Sequence, residues 1–281
     1  MGLSRPMGRL LIRIPMLNFL TPFFCLFLLQ LGFAQSNTTI SMMYSEQVKD
    51  SFEIYTSSPV KFDSDKTYNV VYYLDATLKS GKKLRELIHS SAYAEKTATT
   101  IFVGIGHVGN YHVLRRRDFI LPIVSNADSV DSSSNYGQID QFYQFMKVEL
   151  IPTINAKFKT NPENNSIIGH SLGGLFVVYS LFKNELLFKS HYAFSPSLWI
   201  GNDQIYAYNQ LGVKNQTRQY FYFSVGGYER FNHIKKGTER LNRFLSTKNY
   251  PNLIYQYVIQ RWKTHNSHVE QSFDEVLKQK I

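Results

Sequence analysis

Residues 166–182 read SIIGHSLGGLFVVYSLF, and no other stretch limits the fold so tightly. Ser166, Ile167 and Ile168 look like the end of a short strand. Gly169, Ser171 and Gly173 form a G-x-S-x-G turn, and Leu175–Phe182 is apolar on nearly every side. A helix that is apolar all round must be buried. A strand that turns at once into a buried helix belongs to a sheet with helices packed on its faces. In this context the turn strains the serine backbone and lifts its hydroxyl above the sheet. The flanking glycines are needed because a Cβ there would strike the neighbouring strand or helix. The helix N-terminus adds free N–H groups and a positive dipole, which suit a developing oxyanion.

The rest of the chain agrees with that placement. TTISMMYS and DSFEIYTS alternate loosely and read as edge strands. YNVVYYLD and TIFVGIG are apolar runs without clean alternation, as are HYAFS, QYFYFSVGG and LIYQYVIQ. Helical stretches separate them: GKKLRELIHSSAYAE, QIDQFYQFMKVELIPTINAKF, residues 233–247, and the chain end from about Ser272. Pro152 should bend or split the second of these. Strands of this kind alternating with helices predict an α/β fold, with a mostly parallel central sheet covered by helices on both faces. Residues 107–137 read as a long irregular segment, expected to roof a pocket. One domain is expected over residues 35–281.

A serine hydroxyl needs a base to take its proton and an acid to orient that base. In α/β-hydrolases the chain order is serine, acid, histidine. Four histidines follow Ser171: His191, His233, His265 and His268. His191 opens an apolar strand and reads as core, and His233 as surface. The pair in WKTHNSH falls between the last strand and the last helix, where the base of this architecture sits. Glu229 follows QYFYFSV and is the expected acid, with Asp203 as its competitor. The oxyanion donors are expected at the backbone of Leu172 and of Ala76 or Thr77, in the loop after YNVVYYLD.

These stretches together resemble the putative-esterase family of α/β-hydrolases, which takes in esterase D and the enterochelin-type siderophore esterases. VVYYLDA resembles its "YxLDG", and IFVGIG with RRRDF its "VGIG…R.RD". FKTNPENNSIIGHSLGGLFVVYSLF resembles its nucleophile region, and FSPSLWI its "SPSLWW". SVGGYE resembles its "xGxxE" and KTHNS its "ETHxS". The resemblance covers nearly all of the chain after residue 34. It implies Ser171 as nucleophile, Glu229 as acid and His265 as base. It favours His265 over His268 because Thr264 and Ser267 hold the family's flanking positions. Two departures stand out: Ala76 replaces a glycine, and Lys263 replaces an acidic residue. Trp199 and Arg115 are taken as substrate contacts.

The first 34 residues carry Arg5, Arg9 and Arg13 ahead of an apolar stretch, then Gly32-Phe33-Ala34. This is the pattern of a secretory signal peptide cleaved after Ala34, and it predicts a secreted or periplasmic protein without stable membrane insertion. The single cysteine, Cys25, lies in that segment, so the mature protein would have no disulfide and no thiol nucleophile. The formal net charge is +10, but the basic residues are scattered and no nucleic-acid module is recognisable. The one basic cluster is Arg115-Arg116-Arg117. Either one arginine pairs with Asp118 while the others are solvated, or one contacts an anionic substrate. No metal and no cofactor is expected, and the partner is a small-molecule ester. The leading reading is a serine ester hydrolase working through an acyl-enzyme. The alternatives are a ligand-binding member without turnover and an acyltransferase.

Overall fold

The computed structural model describes residues 1, 37–122, 136–212, 217–229 and 232–278. The expected signal segment and its cleavage site fall outside the described residues, as does much of the expected roof. Among the described residues no helix is long and apolar enough to cross a membrane.

Eight strands form one sheet: β1 (Thr38–Ser45), β2 (Asp50–Ser57), β3 (Asn69–Leu74), β4 (Thr100–His107), β5 (Ser166–His170), β6 (Ser190–Phe194), β7 (Gln219–Gly226) and β8 (Leu253–Gln260). Their order across the sheet is β1-β2-β4-β3-β5-β6-β7-β8. β1, β2 and β4 pair antiparallel, and every pair from β4 through to β8 is parallel. Only β1 is an edge strand at that side. β2, expected at an edge, lies between β1 and β4, which explains why its second half is buried.

The helices follow in order: α1 (Lys79–Ile88), α2 (Ala94–Thr97), α3 (Tyr111–Phe119), α4 (Ile139–Gln144), α5 (Ile151–Lys157), α6 (Leu172–Lys183), α7 (Asn232–Lys248) and α8 (Val269–Lys278). Side chains of a strand point alternately to its two faces, and β3 shows both destinations. Val70, Tyr72 and Leu74 join the larger core with Phe119, Phe142, Phe176 and Leu241. Val71 and Tyr73 join the other core, with Leu84 of α1 and Phe273 and Val276 of α8. Burying a side chain of this size is worth roughly 1.5–3 kcal/mol. Residues 173–182 of α6 are all buried, as an all-apolar helix requires.

Two elements depart from the sequence reading. Pro152 does not break the helical run, which continues from Ile139 to Lys157. A π-helical turn, Phe145–Leu150, joins α4 to α5 ahead of the proline, and Ile151 N–H bonds Met146 O five residues back. The wider turn makes room for a ring that cannot donate a hydrogen bond. Residues 107–122 are not irregular but contain α3, capped by Asn110, whose side chain accepts from His112 N–H at 3.2 Å. Apart from Phe119, the inward face of α3 carries the charged residues Arg115, Arg117 and Asp118, so an apolar period does not reveal it.

The topology locates the site. From β3 the chain steps outward to β4 and then returns past β3 to β5. The helices after β3 and β5 therefore leave on opposite faces, α1 against one core and α6 against the other. A crevice opens at the carboxyl ends of strands where the order reverses in this way. Ser171 follows β5 and Asp75-Ala76-Thr77 follows β3.

Candidate active site

Ser171 stands between β5 and α6 with φ 59° and ψ −114°. For a residue with a Cβ this costs of order 1–3 kcal/mol unless the surroundings enforce it. They do. Ser171 N–H donates to Phe194 O at 2.9 Å, and Ser171 O accepts from Leu175 N–H and Ser197 N–H at 3.1 and 3.0 Å. Gly169 is needed because α6 folds straight back: a Cβ there would lie 2.2 Å from Gly173 O, which as backbone cannot move aside. Ser171 Oγ rests 3.3 Å from Ser197 Oγ. Leu172 N–H is the first amide of α6 and lacks an intrahelical acceptor, as helix geometry dictates.

His265 and Glu229 come from the loops after β8 and β7. His265 Nδ1 donates to Glu229 Oε2 at 3.0 Å, which leaves Nε2 as the free nitrogen of the ring. The two loops are pressed together. Tyr228 N–H bonds Lys263 O at 2.8 Å, and a Cβ on Gly226 would lie 2.6 Å from that same oxygen. The Glu229 side chain is 1% exposed. Burial alone would raise its carboxyl, but hydrogen bonds from His265 and Ser195 outweigh it and hold the group below its ordinary value. Glu229 is therefore a carboxylate at neutral pH.

Ser171 and His265 line one cleft of about 1050 Å³. Lys79, Lys82, Lys83, Lys263 and Arg115 also line it, against Asp75, Glu86 and Glu270. Lys83 is shared between Glu86 and Glu270 at 3.5 and 3.3 Å. The rim is thus net positive. His170, the residue before Ser171, donates from Nε2 to His265 O at 2.8 Å and so ties the serine turn to the loop after β8. Burial, then the neighbouring rings of His265 and His268, hold His170 well below the usual imidazole range. It is neutral and does not add a charge beside the base.

Several sequence expectations change here. Ala76 N–H donates to Ile105 O at 2.9 Å and is not available to an oxyanion. Thr77 N–H has no acceptor among the described residues. The methyl of Ala76 is accommodated: the residue is fully buried, and Arg85 holds its carbonyl at 2.6 Å. Asp203 pairs with Arg240, far from the acid's role. His191 is core, as expected, with neither ring nitrogen bonded. His268, three residues past His265, is fully buried. Trp199 is 46% exposed, lies with its ring 4.4 Å from His233 in a tilted contact, and is not part of the cleft lining.

The arginine cluster divides by role. Arg117 pairs with Asp118 at 2.7 Å and with Asp50 at 2.6 Å, and Arg116 is exposed. Arg115 lines the cleft, but both arms of its fork are on Asp75, at 2.7 and 2.8 Å. Asp75 is 2% exposed with φ 61°, at the start of the oxyanion loop. Arg115 therefore fixes that loop, with Nε and Nη2 committed to Asp75. Arg115→Ala strands a buried carboxylate, which costs about 3–5 kcal/mol. The expected result is a lower melting temperature and a loss of turnover shared equally by neutral and anionic esters. A loss confined to anionic esters, with melting unchanged, would return Arg115 to substrate binding.

The comparisons with known proteins come to one family. A family model described as "Putative esterase" matches residues 45–280. The chain belongs to that family. Ferri-bacillibactin esterase BesA of Bacillus subtilis (strain 168) is 29% identical over 175 residues, covering 59% of this chain and 61% of that protein. The siderophore triacetylfusarinine C esterase of Aspergillus fumigatus is 32% identical over 102 residues, covering 35% and 34%. The chain thus spans less than two thirds of either relative's length. Among solved structures, the BES protein from Bacillus cereus superposes with a TM-score of 0.74 at 26% identity, covering 86% of this chain and 95% of that one. The fold is that of the α/β-hydrolases.

Proposed function

We propose that the protein is a serine ester hydrolase. One observation carries the reading: a serine on an enforced, strained turn opens into the same cleft as a histidine whose other nitrogen is bonded to a buried carboxylate. Ser171 Oγ attacks the ester carbonyl carbon while His265 Nε2 takes its proton. Glu229 holds the ring in the tautomer with hydrogen on Nδ1 and balances the imidazolium that forms. The oxyanion is received by the N–H groups of Leu172 and Thr77. His265 returns the proton to the leaving alcohol, and a water then attacks the acyl-enzyme by the same route. Every step uses groups of this chain and water alone.

The substrate class follows from the cleft. A net positive rim beside the nucleophile suits an ester carrying negative charge. The named relatives that act on siderophore esters point the same way. We take a siderophore-like ester as the substrate. Its charge would be met by the lysines of the rim and not by Arg115. The arginine-rich, apolar and small-residue order of the first 34 residues supports export, and N-terminal sequencing of exported protein beginning elsewhere than Gln35 would refute that processing.

The test of the function is labelling and a substrate panel. A fluorophosphonate should modify Ser171 and abolish turnover. A tri-catecholate lactone should be cleaved with a higher kcat/KM than a neutral nitrophenyl ester, and added salt should narrow the difference. Absence of labelling together with no turnover on any ester would overturn the reading in favour of a binding role.

A further inference from the structure

Behind Glu229 lies a buried chain of polar groups that the acyl-transfer scheme does not use. Ser195 Oγ bonds Glu229 Oε1 on one side and His268 Nε2 on the other, the latter at 2.7 Å. His268 Nδ1 lies 3.2 Å from Ser272 Oγ, and Ser272 Oγ lies 2.8 Å from Ser224 Oγ. Ser195, Ser224, His268 and Ser272 are each fully buried. The groups come from three elements: β7 gives Ser224, the residue after β6 is Ser195, and α8 with its lead-in gives Ser272 and His268.

The charge of Glu229 fixes the direction of every proton in this chain. A carboxylate only accepts, so Ser195 O–H donates to it. Ser195 then offers a lone pair to His268, whose proton must be on Nε2. Burial lowers the His268 pKa to about 4, against the pull of Glu229, so at neutral pH the ring carries one proton only. Its Nδ1 is therefore the acceptor, and Ser272 O–H points to it. Ser272 in turn accepts from Ser224. All the protons point toward the acid, and chains of this kind strengthen one another in a low-dielectric interior.

Two further facts suggest that the arrangement is built for position. Ser195 has φ 42°, a left-handed conformation that serine adopts rarely, and Ser195 N–H is held by Ser224 O at 2.7 Å. The titratable groups facing His268 are Glu229, His265 and His170; the His170 ring lies 5.9 Å away, and it is neutral. A neutral His268 can thus donate to the acid's partner without placing a second positive charge beside the imidazolium formed in catalysis.

We propose that His268 is a positioning residue for the active-site acid, acting through Ser195 to hold Glu229 Oε1 so that Oε2 meets His265 Nδ1–H. This rests on the proposed hydrolase reading for its catalytic consequence, but not for its geometry.

The experiment uses the purified protein with Ser195→Ala, His268→Phe and His268→Gln. Phenylalanine fills the volume without a donor, and glutamine keeps an N–H near the place of Nε2. With a nitrophenyl ester, Ser195→Ala and His268→Phe should each lower kcat roughly 10- to 100-fold with little change in KM, an effect of the size expected for a misplaced catalytic group. The acid limb of kcat/KM should move to lower pH, because an imidazolium with weaker carboxylate support forms less readily. A purely structural defect lowers the rate at all pH values and leaves the limb in place. His268→Gln should recover most of the rate, and in a Glu229→Gln background His268→Phe should cost nothing further. If His268→Phe does not fold, Ser195→Ala removes only one oxygen and decides the matter. The geometry is read separately by proton NMR, in which the His265 Nδ1–H signal should shift or vanish in Ser195→Ala. An unchanged signal overturns the proposal, as does an undisplaced acid limb or a loss that adds fully to that of Glu229→Gln. A shifted signal with turnover that survives Ser171→Ala upholds the positioning role and overturns the hydrolase reading instead.

Discussion

Ser171→Ala should lower ester turnover by about 10³-fold or more and eliminate fluorophosphonate labelling, with the fold intact. The size follows from the loss of the attacking atom, since removal of a triad member leaves only the oxyanion donors and binding to act. Stability should hardly move. Among the described residues the one side-chain bond lost is the long contact to Ser197 Oγ at 3.3 Å. The three backbone hydrogen bonds that enforce the turn remain. Ser171→Gly should go further and raise the melting temperature, because glycine adopts φ 59° without strain. Paired measurements of kcat, labelled mass and melting temperature check all three points. Turnover near the parent level in Ser171→Ala would remove the nucleophile assignment, and a lower melting temperature in Ser171→Gly would show that the turn is not strained.

His265→Ala should match the catalytic loss at Ser171 and exceed the loss at His268. His265 lines the cleft and presents the ring nitrogen that Glu229 leaves free, whereas His268 is buried with both nitrogens on serines. A larger loss at His268 would exchange the two roles. The variant also carries a pH signature. The folded Glu229 carboxyl sits below its ordinary value of 4.5 despite burial, with the His265 bond the largest lowering cause. A depressed carboxyl stabilises the fold above its unfolded pKa, and that stabilisation is lost as pH falls through the folded value. His265→Ala forfeits part of it. Its melting temperature should therefore trail the parent wherever Glu229 is ionised, and the gap should close once pH falls below the carboxylate range. A gap that persists unchanged below the carboxylate range would mean that the pair does not stabilise the folded protein.

How much of this was legible beforehand differs from residue to residue. SIIGHSLGGLFVVYSLF carries its own context, because strand, turn and helix are contiguous and Gly169 is needed for a contact only four residues away. The order of Ser171, Glu229 and His265 could likewise be read from loops that follow apolar runs. α3 could not be read that way. Its inner face is stabilised by Arg115 on Asp75 and Arg117 on Asp50, partners 40 and 67 residues distant, and a helix held by charges shows no apolar stripe. Ala76 was equally opaque, because whether an amide is free depends on the strand beside it, here β4 through Ile105 O.

His268 shows the division most sharply. In sequence it is a polar residue three positions past His265, beside a helix start, and nothing local separates it from surface. Burial is a property of what packs around a residue, and Ser195, Ser224 and Ser272 arrive from the end of β6, from β7 and from α8 only once the parallel sheet is assembled. The sequence by itself determined the α/β architecture, the strained serine turn and the loops that carry Glu229 and His265, because periodicity and turn chemistry act over a few residues. Only the tertiary structure decided which amides stay free, which arginine is committed and which histidine is buried. Those depend on hydrogen bonds and ion pairs between groups tens of residues apart, whose geometry exists only when the strands are in register.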